Sequence, residues 1–137
     1  MRQHSLKTTY LIHKTLASDT ELLKLISDKN IYLLVAEPET VFPYAIIKRD
    51  NVSTETGNKD MAGDRVSFSI KVYSDKYDVA INIADCMRFL IEGHVYQDNE
   101  IRLQNIKFIS SSEAWVSDSY EQSMSFSAEV TNPINYN

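Results

Sequence analysis

Residues 64–93 read DRVSFSIKVYS and run directly into DKYDVAINIADCMRFLIEG; together with PYAIIKRDNV at 43–52 they decide the fold. Val66, Phe68, Ile70 and Val72 alternate with Ser67, Ser69, Lys71 and Tyr73, the period of a strand with one face buried and one free. Ser74 and Asp75 stop that strand and offer side-chain oxygens to cap a helix. In the helix, Val79, Ala80, Ile83, Ala84, Cys86, Met87, Leu90 and Ile91 make a broad apolar face, with Lys76, Asp78, Asn82, Asp85 and Arg88 largely opposite. Gly93 follows as the residue able to take the left-handed conformation that ends a helix. Upstream, Pro43 opens a strand where a missing N–H harms a sheet least. There Tyr44, Ile46 and Lys48 point one way, and Ala45, Ile47 and Arg49 the other.

The stretch 51–63, NVSTETGNKDMAG, holds two of the three glycines and almost no large apolar residues. It is too long for a tight hairpin, and loops of that length are often functional, so it is expected to be a mobile connection and the foremost candidate for partner contact. Toward the N-terminus, Leu6, Tyr10, Leu11, Lys14 and Thr15 fall at helical spacing, and Leu22, Leu23, Leu25 and Ile26 follow a Ser18-Asp19 break, predicting two helical pieces. Ile31 to Ala36 reads as a short strand or extended segment ended by Glu37-Pro38. Beyond the central helix, Asp98-Asn99 makes a turn. Ile101 and Leu103 then share one parity and Ile106 and Phe108 the other, which predicts a bulge near Gln104-Asn105. After a turn at Ser117-Asp118, Tyr120, Gln122, Met124, Phe126, Ala128 and Val130 alternate cleanly with polar residues. The sum is an α+β fold: an antiparallel sheet of about four strands in two hairpins separated by one amphipathic helix, with N-terminal helices packed on the sheet. Its second face, carrying Ser67, Ser69, Lys71, Ser123, Ser125 and Ser127, is small and polar and suits water or a wet protein interface.

The 137 residues are the size of one domain, with 1–28 as a helical segment, 51–63 as the loop and 131–137 as a tail. A formal charge of −5, from 14 basic and 19 acidic residues, argues against general attraction to nucleic acid or to an anionic membrane. The lone Cys86 excludes an internal disulfide and fits a reducing cytoplasm. The start, MRQHSLKTTYLIHK, lacks an apolar signal core, and no window approaches a membrane span, so a soluble chain is expected. Asn51-Val52-Ser53 then matches a glycosylation acceptor only by chance.

No catalytic arrangement is visible. His4, His13 and His94 are scattered, and Cys86 sits one helical step from Ile83 and Leu90 as a small core group. Asp75, Asp78 and Asp85 are explained by the helix start and its solvated side. Lys48, Arg49, Lys59, Arg65 and Lys71 are interleaved with Asp50, Glu55, Asp60 and Asp64, a net-neutral rim that fits protein contact better than phosphate. Tyr32, Tyr44, Tyr73, Tyr77, Trp115 and Tyr120 are candidate interface anchors, most of them expected at edges of the core, and Glu113-Ala114-Trp115 is the spot most suggestive of a surface aromatic. There is no Gly-rich phosphate loop and no GxSxG elbow, so no enzyme, cofactor or metal is expected.

From Leu16 to Ile91 the chain resembles the small tail-completion, or tail-terminator, proteins of long-tailed bacteriophages and prophages. The matching features are LASDTELLKLI (16–26), IYLLVAEPETVFPYAIIKR (31–49) and VSFSIKVYSDKY (66–77) running into VAINIADCMRFLI (79–91), with the paired alanines Ala80 and Ala84. The resemblance implies a structural protein of the virion tail, assembled in the host cytoplasm. It would form a ring, commonly hexameric, on the last ring of the tail tube, stop tube growth and offer a surface to the head connector, while DNA passes through without specific binding. On that reading Thr54, Glu55, Lys59, Asp60, Arg65 and Trp115 are the expected contact residues. The alternatives are another head–tail connector or stopper component, or a cytosolic small-ligand module or enzyme, which would need a concave apolar pocket with convergent polar groups.

Overall fold

A computed structural model describes residues 3–54 and 63–134. Helix α1 (Thr8–Ala17) buries Thr8, Leu11, Ile12 and Leu16, and the Thr8 hydroxyl donates to the Ser5 carbonyl at 2.7 Å. The second predicted N-terminal helix is instead two isolated 3-10 turns, Leu22–Lys24 and Asp28–Asn30. Asp19 accepts from the Leu22 N–H at 2.9 Å, but Ser27 already caps the next turn, its hydroxyl accepting from Lys29 N–H at 3.3 Å. Too few residues lie between the two caps for a helix to propagate.

The described sheet has six strands rather than about four: β1 (Ile31–Leu33), β2 (Tyr44–Thr54), β3 (Asp64–Ser74), β4 (Tyr96–Gln97), β5 (Arg102–Val116) and β6 (Ser119–Thr131), in the order β1-β2-β3-β6-β5-β4. Nor is the sheet wholly antiparallel, because β1 runs parallel to β2, Ile31 opposite Ala45. The strands beyond those two hairpins are three and two residues long: β1 falls in the short extended segment read at Ile31 to Ala36, while β4 is too short for any period to show in sequence. The two predicted hairpins, β2–β3 and β5–β6, are joined at the sheet centre by an antiparallel β3–β6 ladder running from Asp64↔Val130 to Ser74↔Tyr120.

Helix α2 (Tyr77–Ile91) covers one face with Ala80, Ile83, Ala84, Met87 and Ile91. Beneath it Phe68 and Phe126 stack as a cross-strand pair, centroids 5.2 Å apart. Gly93 ends the helix at φ 76° as its type requires, its N–H donating to Ile106 at 3.0 Å. The start differs from expectation. Ser74 is buried and its hydroxyl accepts from Lys76 N–H at 3.1 Å, so it closes the turn before the helix, and extended Lys76 precedes the first helical residue without a side-chain cap.

Three bulges bend the ladders. The predicted one lies between Gln104 and Lys107, with Asn105 at φ 50°; two others insert one residue each, between Arg49 and Asn51 and between Phe108 and Ser110. The extra residue at Asp50 keeps Val52 on the core side, opposite Val66. Past the third bulge the β5–β6 hairpin continues beyond the end of α2 as a ribbon whose β5 residues, 109–116, are all exposed. It closes in a two-residue turn, Ser117 and Asp118, both at positive φ, the geometry that matches strand twist.

Candidate functional site

The ribbon is organised on the side that continues the helix-covered face. Register places Glu113 opposite Gln122 and Trp115 opposite Tyr120, while α2 brings Tyr77 from its first turn. The Tyr77 hydroxyl donates to Glu113 Oε2 at 2.8 Å, and Gln122 Nε2 donates to the same oxygen at 2.9 Å. Trp115 and Tyr77 both meet Tyr120 edge to face, with centroids 4.8 and 5.5 Å away. The five side chains line a shallow cleft with Ala114. Hydrogen bonds from Gln122 first, then Tyr77, hold the Glu113 carboxyl below the usual carboxylate range, and the same bond raises the Tyr77 phenol. The result is a fixed carboxylate set among three rings, with Trp115 59% exposed. Such an arrangement is suited to a cation through both charge and ring faces. Between this cleft and the body, Arg88 lies over the Phe108 ring, 3.7 Å from its centroid, and pairs with Glu92 at 2.8 Å.

The opposite sheet face is open. Ser69, Ser125 and Ser110 lie in one cross-strand row, and Lys71, Ser123 and Ser112 in the next. Toward β1 this surface becomes a groove lined by Leu34, Ile46, Lys48, Ser69, Lys71 and Tyr73. Leu34 sits at φ 69°, a left-handed conformation costly for Leu, with its N–H donating to Ile47 at 2.9 Å and its side chain 67% exposed. Lys48 lies 3.9 Å from Asp50, and the Tyr73 hydroxyl donates to Glu121 at 2.7 Å. Burial first, then that bond, raises the Tyr73 phenol. Lys71 is exposed and makes no ion pair among the described residues.

The expected contact residues are not brought together. Thr54 ends β2 opposite Asp64. Arg65 lies beside it in β3, opposite Ser53 and Glu129, with its guanidinium 3.9 Å from the Glu129 carboxylate. Glu55, Lys59 and Asp60 lie outside the described residues, as does most of the 51–63 loop. Trp115 is at the other end of the strands, ten residue steps along β3 from Asp64, or roughly 33 Å. Sequence reasoning singled out Trp115 and Glu113 and counted Tyr77 and Tyr120 among the aromatics able to anchor an interface, but did not point to Gln122. The signal was present: a two-residue turn at 117–118 fixes the 113↔122 and 115↔120 pairings. Nothing in sequence foretold that Tyr77, from the start of α2, would meet Glu113 and Tyr120.

Among the described residues the three histidines and the cysteine stand apart from one another. His13 Nε2 lies 2.8 Å from the Ile31 carbonyl, His4 lies 3.6 Å from Glu100, and His94 stacks on Tyr96. Cys86 is half-buried at the core edge, and burial, then Asp19, pushes its thiol up, away from thiolate reactivity. Among the described residues no group of His, Cys, Asp and Glu has the arrangement of a metal site, and no helix is long and apolar enough to cross a membrane.

The family model for tail completion protein gp17 matches residues 11–128. Among solved structures, a chain in the virion of a native gene transfer agent (GTA) particle aligns with a TM-score of 0.75 at 21% identity, covering 88% of this chain and 92% of that one. A second solved chain aligns with a TM-score of 0.67 at 12% identity, covering 98% of this chain and 100% of that one. At such identities the likeness is one of fold. No curated protein sequence matches the chain.

Proposed function

Since the chain belongs to the tail completion protein gp17 family, a family of structural tail proteins and not of enzymes, we propose that it caps the tail tube of a phage or prophage as a hexameric ring. In this role it ends tube growth and presents the surface on which the head connector docks. The observation that carries the reading is the extent of the family match, 11–128, which takes in most of α1, all of α2, β1 to β5, most of β6 and the whole exposed ribbon. The geometry supports it. The two strand ends of the sheet carry different exposed surfaces, Thr54 and Arg65 at one and the Trp115 ribbon at the other, as a subunit meeting unlike neighbours requires. Thr54, Glu55, Lys59, Asp60 and Arg65 are proposed as one contact region and Trp115 as part of another. A net charge of −5 lets DNA pass a ring of such subunits without adhering.

The test is the mass of the purified protein by light scattering over a concentration series, with and without tail-tube protein. A ring-sized species, induced or enlarged by tube protein, is the expected result. A monomer that ignores tube protein at every concentration overturns it, and capture by head connector alone transfers the chain to the connector or stopper class.

A further inference from the structure

We propose that the Glu113–Trp115 cleft at the tip of the β5–β6 ribbon docks on the open sheet face of a second copy of this chain, with Glu113 meeting Lys71 of that copy. This pairing rests on the ring reading and supplies its subunit contact.

The cleft is a cation receptor already assembled in the free chain. Glu113 is fixed by two donors, Tyr77 and Gln122, and ringed by Tyr77, Trp115 and Tyr120. Aromatic anchors that need no reorganisation are the residues from which interfaces draw most of their energy. The other surface has the complementary chemistry. Lys48 shares its charge with Asp50 and Tyr73 is engaged by Glu121, which leaves Lys71 as the groove's cation with no acidic partner among the described residues. Around it the serines of β3 and β6 leave room for a large ring, and Ile46 and the outward-held Leu34 give apolar surface for that ring to cover.

The chain cannot make this contact with itself. Glu113 pairs across the ribbon with Gln122 and Lys71 pairs across the ladder with Ser123, and these adjacent residues of β6 point to opposite faces of the sheet. The sheet itself therefore separates the carboxylate from the ammonium group. A contact between two different surfaces of identical chains is heterologous, and successive copies close into a ring or extend as a filament.

Trp115 is the chain's one tryptophan, so its fluorescence reads this contact directly. With the full-length protein, and with tail-tube protein where that is needed to form the assembly, Trp115 emission is followed alongside mass. The expected result is a blue shift that tracks appearance of the ring-sized species. Glu113→Lys and Lys71→Glu should each weaken association at least about tenfold, and the double exchange should recover much of the loss. Thermal melts confirm that the singles fold, and Glu113→Gln, which keeps a hydrogen-bonding group, serves as a second variant. A ring that forms with unchanged Trp115 emission, or that tolerates both single reversals, overturns the docking and leaves the ring reading standing. Weakened singles without recovery in the double assign the cleft to a different protein of the tail. Absence of any ring-sized species from wild-type protein removes both proposals.

Discussion

The two halves of the β5–β6 hairpin have the same strands and the same partner geometry, yet opposite environments. From Leu103 to Phe108 and from Met124 to Val130 its core-facing side chains are covered, and Leu103, Ile106, Phe126, Ala128 and Val130 are at most 2% exposed. From Ile109 to Gln122 only the first turns of α2 reach it, through Tyr77 on Glu113 and Tyr120, and Ile109 and Trp115 are each 59% exposed. The same alternation thus builds a core in one half and an exposed surface in the other. What changes is not the strand but its cover, and the change falls at the third bulge, where Arg88 closes over Phe108. An isolated two-stranded ribbon is marginal in water. Here the outer half is held by its rigid inner half, its two-residue turn and the Tyr77, Glu113 and Gln122 bonds.

The comparison breaks most visibly if the two halves respond alike to loss of an aromatic ring. Phe126 is 1% exposed and wedged between Phe68 and Phe108. Phe126→Ala should cost about 3–5 kcal/mol, because the cavity it leaves cannot collapse in a stacked core. Trp115→Ala removes a larger side chain but should cost no more than about 1 kcal/mol of folding stability, since most of that ring is already in water. Urea unfolding followed by circular dichroism measures both, as the tryptophan signal is lost in one variant. Equal losses would mean that the ribbon belongs to the core and has no surface to spare for a partner.

Gly63 tests how tightly the inner half is closed at its far end. A Cβ built there would stand 2.3 Å from the Val130 carbonyl oxygen and 3.1 Å from Thr131 Cγ2. The first obstacle is backbone, held by the β3–β6 ladder, so Gly63→Ala should destabilise by about 1–3 kcal/mol through overpacking. A neutral result in the same urea experiment would show that the start of β3 yields easily, and would make the body less rigid than the ribbon it supports.

How far the sequence disclosed this contrast depends on which residues carry it. Tyr120 to Val130 announced a strand by strict alternation, and the parity switch between Leu103 and Ile106 announced the bulge at Asn105. Helix α2 and its end at Gly93 were equally plain, because a broad apolar face and a left-handed glycine are local properties. The parallel pairing of β1 was hidden, since Ile31 finds its partner at Ala45 across a connection that a three-residue strand cannot predict. The bulges at Asp50 and Ile109 left no parity signal, the first because charged residues surround it and the second because three serines follow. Exposure of the ribbon was half visible. The run Ser110 to Ser112 is poor in apolar groups, but Trp115 and Tyr120 continue the pattern of the core, and only the structure reveals that Tyr120 is part-covered by Tyr77 while Trp115 stays exposed. The expected contact set split for a related reason: Thr54 and Arg65 are near Trp115 in function as imagined from sequence, but at the far end of the same strands in space.

The smallest effect bears on whether the outer half is ordered in the free chain. Glu113 is held below the usual carboxylate range by Gln122 first and Tyr77 second. Its folded-state value is depressed, so its contribution to stability is present above the ordinary carboxylate value and fades as pH falls through the lower one. The group is on the surface, and the change in stability should be slight; the titration itself is the sharper observable. Carboxyl-carbon NMR should find Glu113 titrating below its ordinary value. Gln122→Ala should move it back upward more than Tyr77→Phe, because the bond from Gln122 is the larger cause. An ordinary titration in the wild-type protein would mean that the three groups do not stay together in solution. The outer half would then be a frayed ribbon that gains its shape only on a partner, and the energy of ordering it would come out of the docking itself.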